Sequence, residues 1–463
     1  METIAGLYQH RAIETAASQR ARGKAARPEI PRAAHAVFTP VDRDPVALVE
    51  AQNAGRLQDL VPLRRERMSV SAFTFYRGSA GLMAHDLARQ TVTGVHVVIC
   101  GDAHLSNFGL YASPERRLVF DLNDFDEAAP GPWEWDVKRL VTSVVLDGSE
   151  IGLRPKAIRA AALACATAYR EALGRLVAMD TLEGYYVHAD EDAIMGALRR
   201  SSRAGFDAIA AKARARTAVA ATARMTESDA DGRVRFREEP PVLTHIKPAE
   251  EQQIGALFEQ YRGTVRPDIA LLLSRYALTD IARRVVGVGS VGTRCYVLVL
   301  TGAAGDHLIL QVKQANPSVI ATAMTPNETT PRSVPADAPH GQRVVANQQV
   351  LQAVSDPFLG HLQVNDHDYY VRQFWDMKGS LDIAGMNPAG FTEYVTACAR
   401  LLARGHGQSP LAHWVVGYLG GSKEFERAVV DWSFAYAQQV AADYAAFVGG
   451  QPRQSRPRRA RKA

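Results

Sequence analysis

Hydrophobic and polar positions follow different periods in different stretches of the chain. Gly94 to Cys100 (G-V-H-V-V-I-C) and Arg117 to Leu122 (R-L-V-F-D-L) are short apolar, β-branched runs and predict two strands. From Trp133 to about residue 178 the spacing is helical, announced by Pro130 and Pro132, with an Ala-rich stretch over 157–169 suited to close helix packing. Residues 191–225 are helix-like, and the charged, Pro-containing stretch near 227–248 reads as an insertion or linker. From Ile281 the period becomes two: strands are expected over Val285–Leu300, Leu308–Gln314 and Tyr369–Trp375, with a helix over 342–354 between the second and third. The Pro-, Thr- and Asn-rich stretch 316–340 reads as a loop, and 391–404 and 424–448 as helices.

The pattern is that of a mixed α+β chain, and 463 residues exceed what one core usually encloses. Composition narrows this further. Hydrophobic residues make up 47% and no apolar run approaches the roughly 20 residues of a membrane helix, so a soluble protein is expected. Met1 to Ile30 is polar and Arg/Ala-rich, without the apolar stretch of a secretory signal, which leaves the cytoplasm as the expected compartment. Cys100, Cys165, Cys295 and Cys398 are scattered without a C-x-x-C pair; they predict small buried hydrophobes rather than a zinc knuckle or a disulfide framework. The net charge of +5 is accounted for by Arg453, Arg456, Arg458, Arg459, Arg461 and Lys462 at the end of the chain. A near-neutral body argues against nucleic-acid binding and leaves that option to the basic tail alone.

Chemistry concentrates where the first two strands end. Gly101 to Asn107 reads G-D-A-H-L-S-N, and Asn123-Asp124-Phe125-Asp126-Glu127 follows the next strand. An Asp followed five residues later by an Asn lets one loop hold both a base for an acceptor hydroxyl, Asp102, and a Mg²⁺ ligand, Asn107. An Asp-Phe-Asp after the following strand supplies the metal carboxylate. Asp124 leads for that role, with Asp126 or Asp121 as substitutes; the bland alternative is an acidic turn. His104 is a candidate nucleophile or ligand, set against a structural role in fixing its loop by hydrogen bonds to backbone. Arg77 and Asp86 either meet this site from a preceding helix or form an ordinary ion pair, and Asp136, opening the helix at Trp133, is placed to anchor the loop's backbone.

A second constellation is Gly287-Val288-Gly289-Ser290-Val291-Gly292. A strand rather than a helix follows it, so it lacks the setting of a dinucleotide fold and matches instead a glycine flap over nucleotide phosphates. Gly287, Gly289, Ser290 and Gly292 are therefore candidate nucleotide-binding positions. One strand further on, Lys313 closes the apolar run Leu308 to Val312 in a chain with only nine lysines. It is expected to pair with nucleotide phosphates, the alternative being a lysine that snorkels from an edge strand.

Together the blocks Arg67-Met68-Ser69, Tyr76-Arg77-Gly78, G-D-A-H-L-S-N-F-G (101–109), F-D-L-N-D-F-D-E (120–127), P-G-P-W-E-W-D-V-K-R-L (130–140), Tyr370-Val371-Arg372-Gln373 and Asp376-Met377-Lys378 resemble the bacterial family catalogued as domain of unknown function 2252, over most of residues 60–445. More broadly, G-D-x-H-x-x-N followed by D-F-D is similar to aminoglycoside and choline kinases. The resemblance implies a two-lobe protein-kinase-like fold in circularly permuted order, because Lys313 follows Asn107 by about two hundred positions instead of preceding it. The implied plan is a lead-in over 1–60, a helical lobe with catalytic and metal-binding loops over 61–270, and a small antiparallel nucleotide-binding lobe over 271–380. C-terminal helices over 381–450 complete the helical lobe, and a disordered basic tail covers 451–463. The helix at 342–354 lacks the acid that kinases pair with their lysine, leaving Gln348 or Gln349 as substitutes.

The expected function is an ATP- and Mg²⁺-dependent phosphotransferase acting on a hydroxyl of an unidentified small molecule or protein, with AMP transfer open on the same scaffold. The rivals are a two-metal phosphoesterase, which requires more histidine ligands than His85, His96 and His104 provide, and a non-catalytic nucleotide-binding protein.

Overall fold

The computed structural model describes residues 14–450, apart from 198, 248–251, 253, 254, 256, 286, 288, 336, 375 and 376. The tail expected to be disordered, 451–463, lies outside the described residues. Mixed α+β architecture is present: among the described residues there are many helices, three two-stranded ribbons and one six-stranded antiparallel sheet. No helix among the described residues is long and apolar enough to cross a membrane.

Strand β1 (His96–Ile99) pairs with β4 (Ala129–Pro132), and between them β2 (Phe108–Ala112) and β3 (Leu118–Leu122) form a hairpin. These four lie in the large core, which the long helices Trp133–Glu150, Pro155–Leu176, Pro388–Gly407 and Glu424–Gly449 enclose. Pro155 in the first turn starts its helix where a missing N–H is harmless, and Gly152, at φ +77°, ends the helical path before it. The expected single helical stretch is therefore two helices. The four cysteines are free and buried, as expected. Asp86, Arg43, Asp443 and Tyr436 form a buried cluster that ties the final helix down, so Asp86 belongs to an ion pair remote from the loops described below.

After a small ribbon, β5 (Thr226–Ser228) and β6 (Val234–Phe236), comes the sheet of β7 (Leu243–His245), β8 (Tyr276–Arg284), β9 (Cys295–Gly302), β10 (His307–Ala315), β11 (Gly360–Val364) and β12 (His367–Gln373). Its order is β11-β12-β10-β9-β8-β7. Alternation sends Leu308, Leu310 and Val312 to one face, packed on Phe258, Tyr261 and Leu273. Ile309 goes to the other face, which packs on Met225 and Phe374, and strand parity sends Gln311 and Lys313 with it. The strand expected over Val285–Leu300 is not a single one: β8 ends at Arg284, the glycine segment follows without strand structure among its described residues, and only β9, from Cys295, falls in that range. β8 itself escapes a period-two reading because a register shift between Leu278 and Asp280 interrupts its alternation. The stretch expected to be loop contains a short helix, Val319–Ala323, capped by the Ser318 hydroxyl, which accepts from the amides of Ile320 and Ala321.

Candidate functional site

The loop after β1 is held from below. The Asp136 carboxylate, in the first turn of the Trp133–Glu150 helix, accepts the amide of Cys100 at 2.6 Å and that of Gly101 at 2.8 Å. Gly101 sits at φ +77°, and a Cβ there would meet the Glu127 carbonyl at 2.5 Å, so only glycine fits the turn. Within the loop the amide of His104 donates to Asp102 O at 2.8 Å, the amide of Asn107 to His104 O at 2.9 Å, and Asn107 Nδ2 to Asp102 O at 2.8 Å. These bonds fold residues 102–107 into a tight turn presenting the Asp102 side chain.

Arg139 grips one Asp102 oxygen, with Nη2 at 2.5 Å and Nε at 2.7 Å from Oδ1. The same guanidinium donates to Tyr76 O at 2.9 Å. Burial raises the Asp102 carboxyl above the usual aspartate value, even against the pull of Arg139. Arg139 in turn is held charged, because Asp102 and Tyr76 outweigh the burial of its guanidinium. His104 is buried against the edge of Phe73, and burial, with Arg77 and Arg139 nearby, drives its imidazole well below the usual value. It is a neutral ring, with Nε2 3.7 Å from Asp102 Oδ2.

The acidic segment after β3 comes up beside this loop, tied to it by the Asn123 amide donating to Asn107 O at 3.0 Å. Asp121 faces away: its carboxylate accepts the amides of Leu122 at 2.8 Å and Ala353 at 2.9 Å, and burial pushes it up to about 6. Asp124 and Asp126 face Lys313, which β10 delivers from 187 residues away. Lys313 Nζ makes a close ion pair with Asp126 and lies 3.7 Å from Asp124 Oδ1, while Tyr370 donates its hydroxyl to Asp126 Oδ1 at 2.8 Å. Burial pushes the Asp124 carboxyl up, but Lys313, Arg372 and Lys378 together outweigh it and hold it below its ordinary value. The Lys313 ammonium is buried, yet Asp124 and Asp126 hold it well above the usual lysine range. Gln348 is engaged with Gln352, its amide nitrogen donating at 2.9 Å, so the counter-charge of Lys313 comes from the acidic segment rather than from the helix His340–Leu351.

The glycine segment closes the site from above. Gly287 and Gly292 take positive φ, +55° and +87°. Arg67 donates to Gly287 O at 2.8 Å, Arg56 to Val291 O at 2.7 Å, and the Leu57 amide to Gly292 O at 2.7 Å. Gly289 and Ser290 then line a cavity of about 480 Å³ together with Asp102, Asp124, Asp126 and Glu127. A second cavity of about 330 Å³ is lined by Leu110, Asn123, Gln311, Arg372, Phe374 and Lys378. His104, Asn107, Gly287, Gly292 and Lys313 line neither cavity, though Lys313 pairs with Asp126, which lines the first.

Asp124, Asp126 and the Asn107 amide oxygen are hard oxygen donors of the kind Mg²⁺ takes alongside waters and substrate phosphates. Among the described residues no group of three or more His, Cys, Asp or Glu side chains is gathered as a metal cage.

Sequence reasoning missed Arg139, Tyr370, Lys378, Arg56 and Glu127. Glu127 accepts the Val319 amide at 2.7 Å and is pushed up to about 7 by burial. Burial, with Arg372 adding to it, depresses Lys378 to about 7. Tyr370 and Arg372 had a legible signal: they occupy alternate positions of one strand, opposite Lys313 and Gln311 in register.

Searches among curated proteins and among solved structures gave no match. A family profile described as "uncharacterized protein conserved in bacteria (DUF2252)" matches residues 56–449, a span containing both loops, the glycine segment, Lys313 and all of the large sheet, and the chain belongs to that bacterial family.

Proposed function

We propose that this chain is an ATP- and Mg²⁺-dependent phosphotransferase with a two-lobe, protein-kinase-like fold in permuted order, acting on a hydroxyl. The observation that carries the reading is the meeting of Lys313 with Asp126 and Asp124 beside Asp102 and beneath the glycine segment, from sequence positions that share no local reason to meet. Phosphoryl transfer depends chiefly on positioning and charge neutralisation, and this set supplies both.

In this reading the base of the nucleotide occupies the cavity beside Leu110 and Phe374, and its phosphates run past Lys313 toward Gly289 and Ser290. Asp124, Asp126 and Asn107 would hold Mg²⁺, which would neutralise charge on the phosphates. Asp102, with Oδ1 fixed by Arg139, accepts the proton of the acceptor hydroxyl through its other oxygen. The hydroxyl oxygen bonds to the γ-phosphorus as the bond to the β-γ bridging oxygen breaks, and ADP leaves. Asp126 supplies the counter-charge of Lys313, so the acid absent from the helix His340–Leu351 is no objection to activity.

The test is calorimetric binding of ATP with and without Mg²⁺ by the wild type, Lys313→Ala and Asp124→Ala. The expected result is Mg²⁺-dependent binding weakened at least tenfold by each substitution, and release of ADP rather than pyrophosphate once an acceptor is supplied. A folded wild type that binds no ATP would overturn the reading and promote a metal-dependent hydrolase.

A further inference from the structure

Resting on that reading, we propose that Arg56 and Arg77 form a subsite for an anionic group, phosphate or carboxylate, carried by the acceptor. Both residues line the cavity that contains Asp102, Asp124 and Glu127. Other enclosed arginines of this fold engage both terminal nitrogens or an acid: Arg43 pairs with Asp86 and Asp443, Arg139 with Asp102 and Tyr76 O, and Arg64 gives its two terminal nitrogens to Asn53 and Gly78 O, although its Nε too is without a partner among the described residues. Arg77 makes no hydrogen bond or ion pair among the described residues, and its guanidinium only approaches the Phe73 ring, at 6.0 Å. Arg56 spends one nitrogen on Val291 O, while its Nε is shut from solvent without a partner among the described residues.

Burial pulls both guanidiniums below the usual arginine range. Asp102 and Asp147 oppose this for Arg77, as do Glu127 and Asp126 for Arg56, none of them in an ion pair with either. Two partly enclosed cations without counter-ions are costly to hold in an empty cavity and become favourable when a planar or tetrahedral anion takes their N–H groups. Their place assigns the anion to the acceptor. Arg77 lies in the last turn of the helix Ala72–Gly78, which Arg139 joins directly to the Asp102 carboxylate through Tyr76 O, whereas the proposed nucleotide-base cavity contains neither arginine.

The experiment is calorimetric titration of inorganic phosphate, glycerol 3-phosphate and glycerate into the full chain saturated with ADP and Mg²⁺, with ADP affinity measured separately. The wild type is expected to bind at least one of these anions while ADP is bound, and the stronger arm distinguishes a phosphate from a carboxylate acceptor. Arg77→Gln is expected to weaken that anion at least tenfold and ADP less than threefold. Arg56→Gln is the second variant should the first fail to fold, and Arg77→Lys, which keeps the charge but loses the fork, should retain part of the binding. No anion binding by folded wild type, or equal binding by Arg77→Gln, overturns the proposal. Parallel losses of anion and ADP also overturn it, because the arginines would then serve the nucleotide. ADP binding absent with anion binding intact would instead sink the phosphotransferase reading.

Discussion

Replacing Asp136 by Ala tests whether the loop geometry rests on one carboxylate. Asp136 is 1% exposed and accepts two main-chain N–H groups, with His406 Nε2 a further 3.2 Å away. A buried amide left without its acceptor costs about 1–3 kcal/mol, so the pair is worth about 2–6 kcal/mol. Asp136→Asn keeps one acceptor oxygen and should cost about half as much. At about 1.4 kcal/mol per factor of ten, hydrogen exchange at Cys100 and Gly101 should accelerate by roughly 30-fold to 10⁴-fold in Asp136→Ala, against a much smaller change in strands β9 and β10. Ser143→Ala provides the scale of a single lost acceptor, since its hydroxyl accepts only the Leu105 amide in this loop, at 3.1 Å. The reasoning fails if Gly101 keeps its protection within threefold, or if all amides of the chain accelerate together.

Lys378, depressed to about 7 mainly by burial, should be largely neutral at pH 8 and react with an amine acylating reagent well ahead of exposed lysines, with its half-point near pH 7 and with protection by bound nucleotide; peptide mapping of the label decides this. Glu127, pushed up to about 7 by burial, binds its proton more tightly in the native than in the unfolded state. Its contribution therefore makes stability fall as pH rises from about 4.5 to 7 and stay level above that, and urea midpoints of Glu127→Gln should show a shallower decline than wild type over that window. Gly101→Ala combines a left-handed backbone, which costs about 1–2 kcal/mol for an L-residue, with a clash against Glu127 O; thermal denaturation should show a clear loss where Gly94→Ala, with φ +72° and open space around it, loses only the backbone part.

The strands carrying the two loops were legible because β1 and β3 are short, apolar and β-branched, and their ends coincide with the polar motifs. Asp136 was legible from its place in the first turn of a helix. Short edge strands were not: β7 has three residues and β11 five, too few for a period to register. Which of three nearby acids faces the cavity was also hidden, because Asp121 is still inside β3 and its carboxylate is claimed by amides of its own strand and of residue 353, a long-range partner that local spacing cannot reveal. Arg56 and Arg77 illustrate the same limit. A chain this rich in arginine gives no sign of which ones lack a partner until the N-terminal segment is folded against the glycine segment.

The helix Glu424–Gly449 that locks Arg43 and Asp86 through Asp443 is made long after the helix Trp133–Glu150 on which it packs. At about 5–20 residues per second a ribosome reaches it roughly 15–60 s after completing Glu150. For that interval Phe75, Trp133 and the other side chains it covers face solvent or a chaperone, so the first half of this protein is a client awaiting its last helix, and ribosome stalling between those points should expose it to aggregation or degradation.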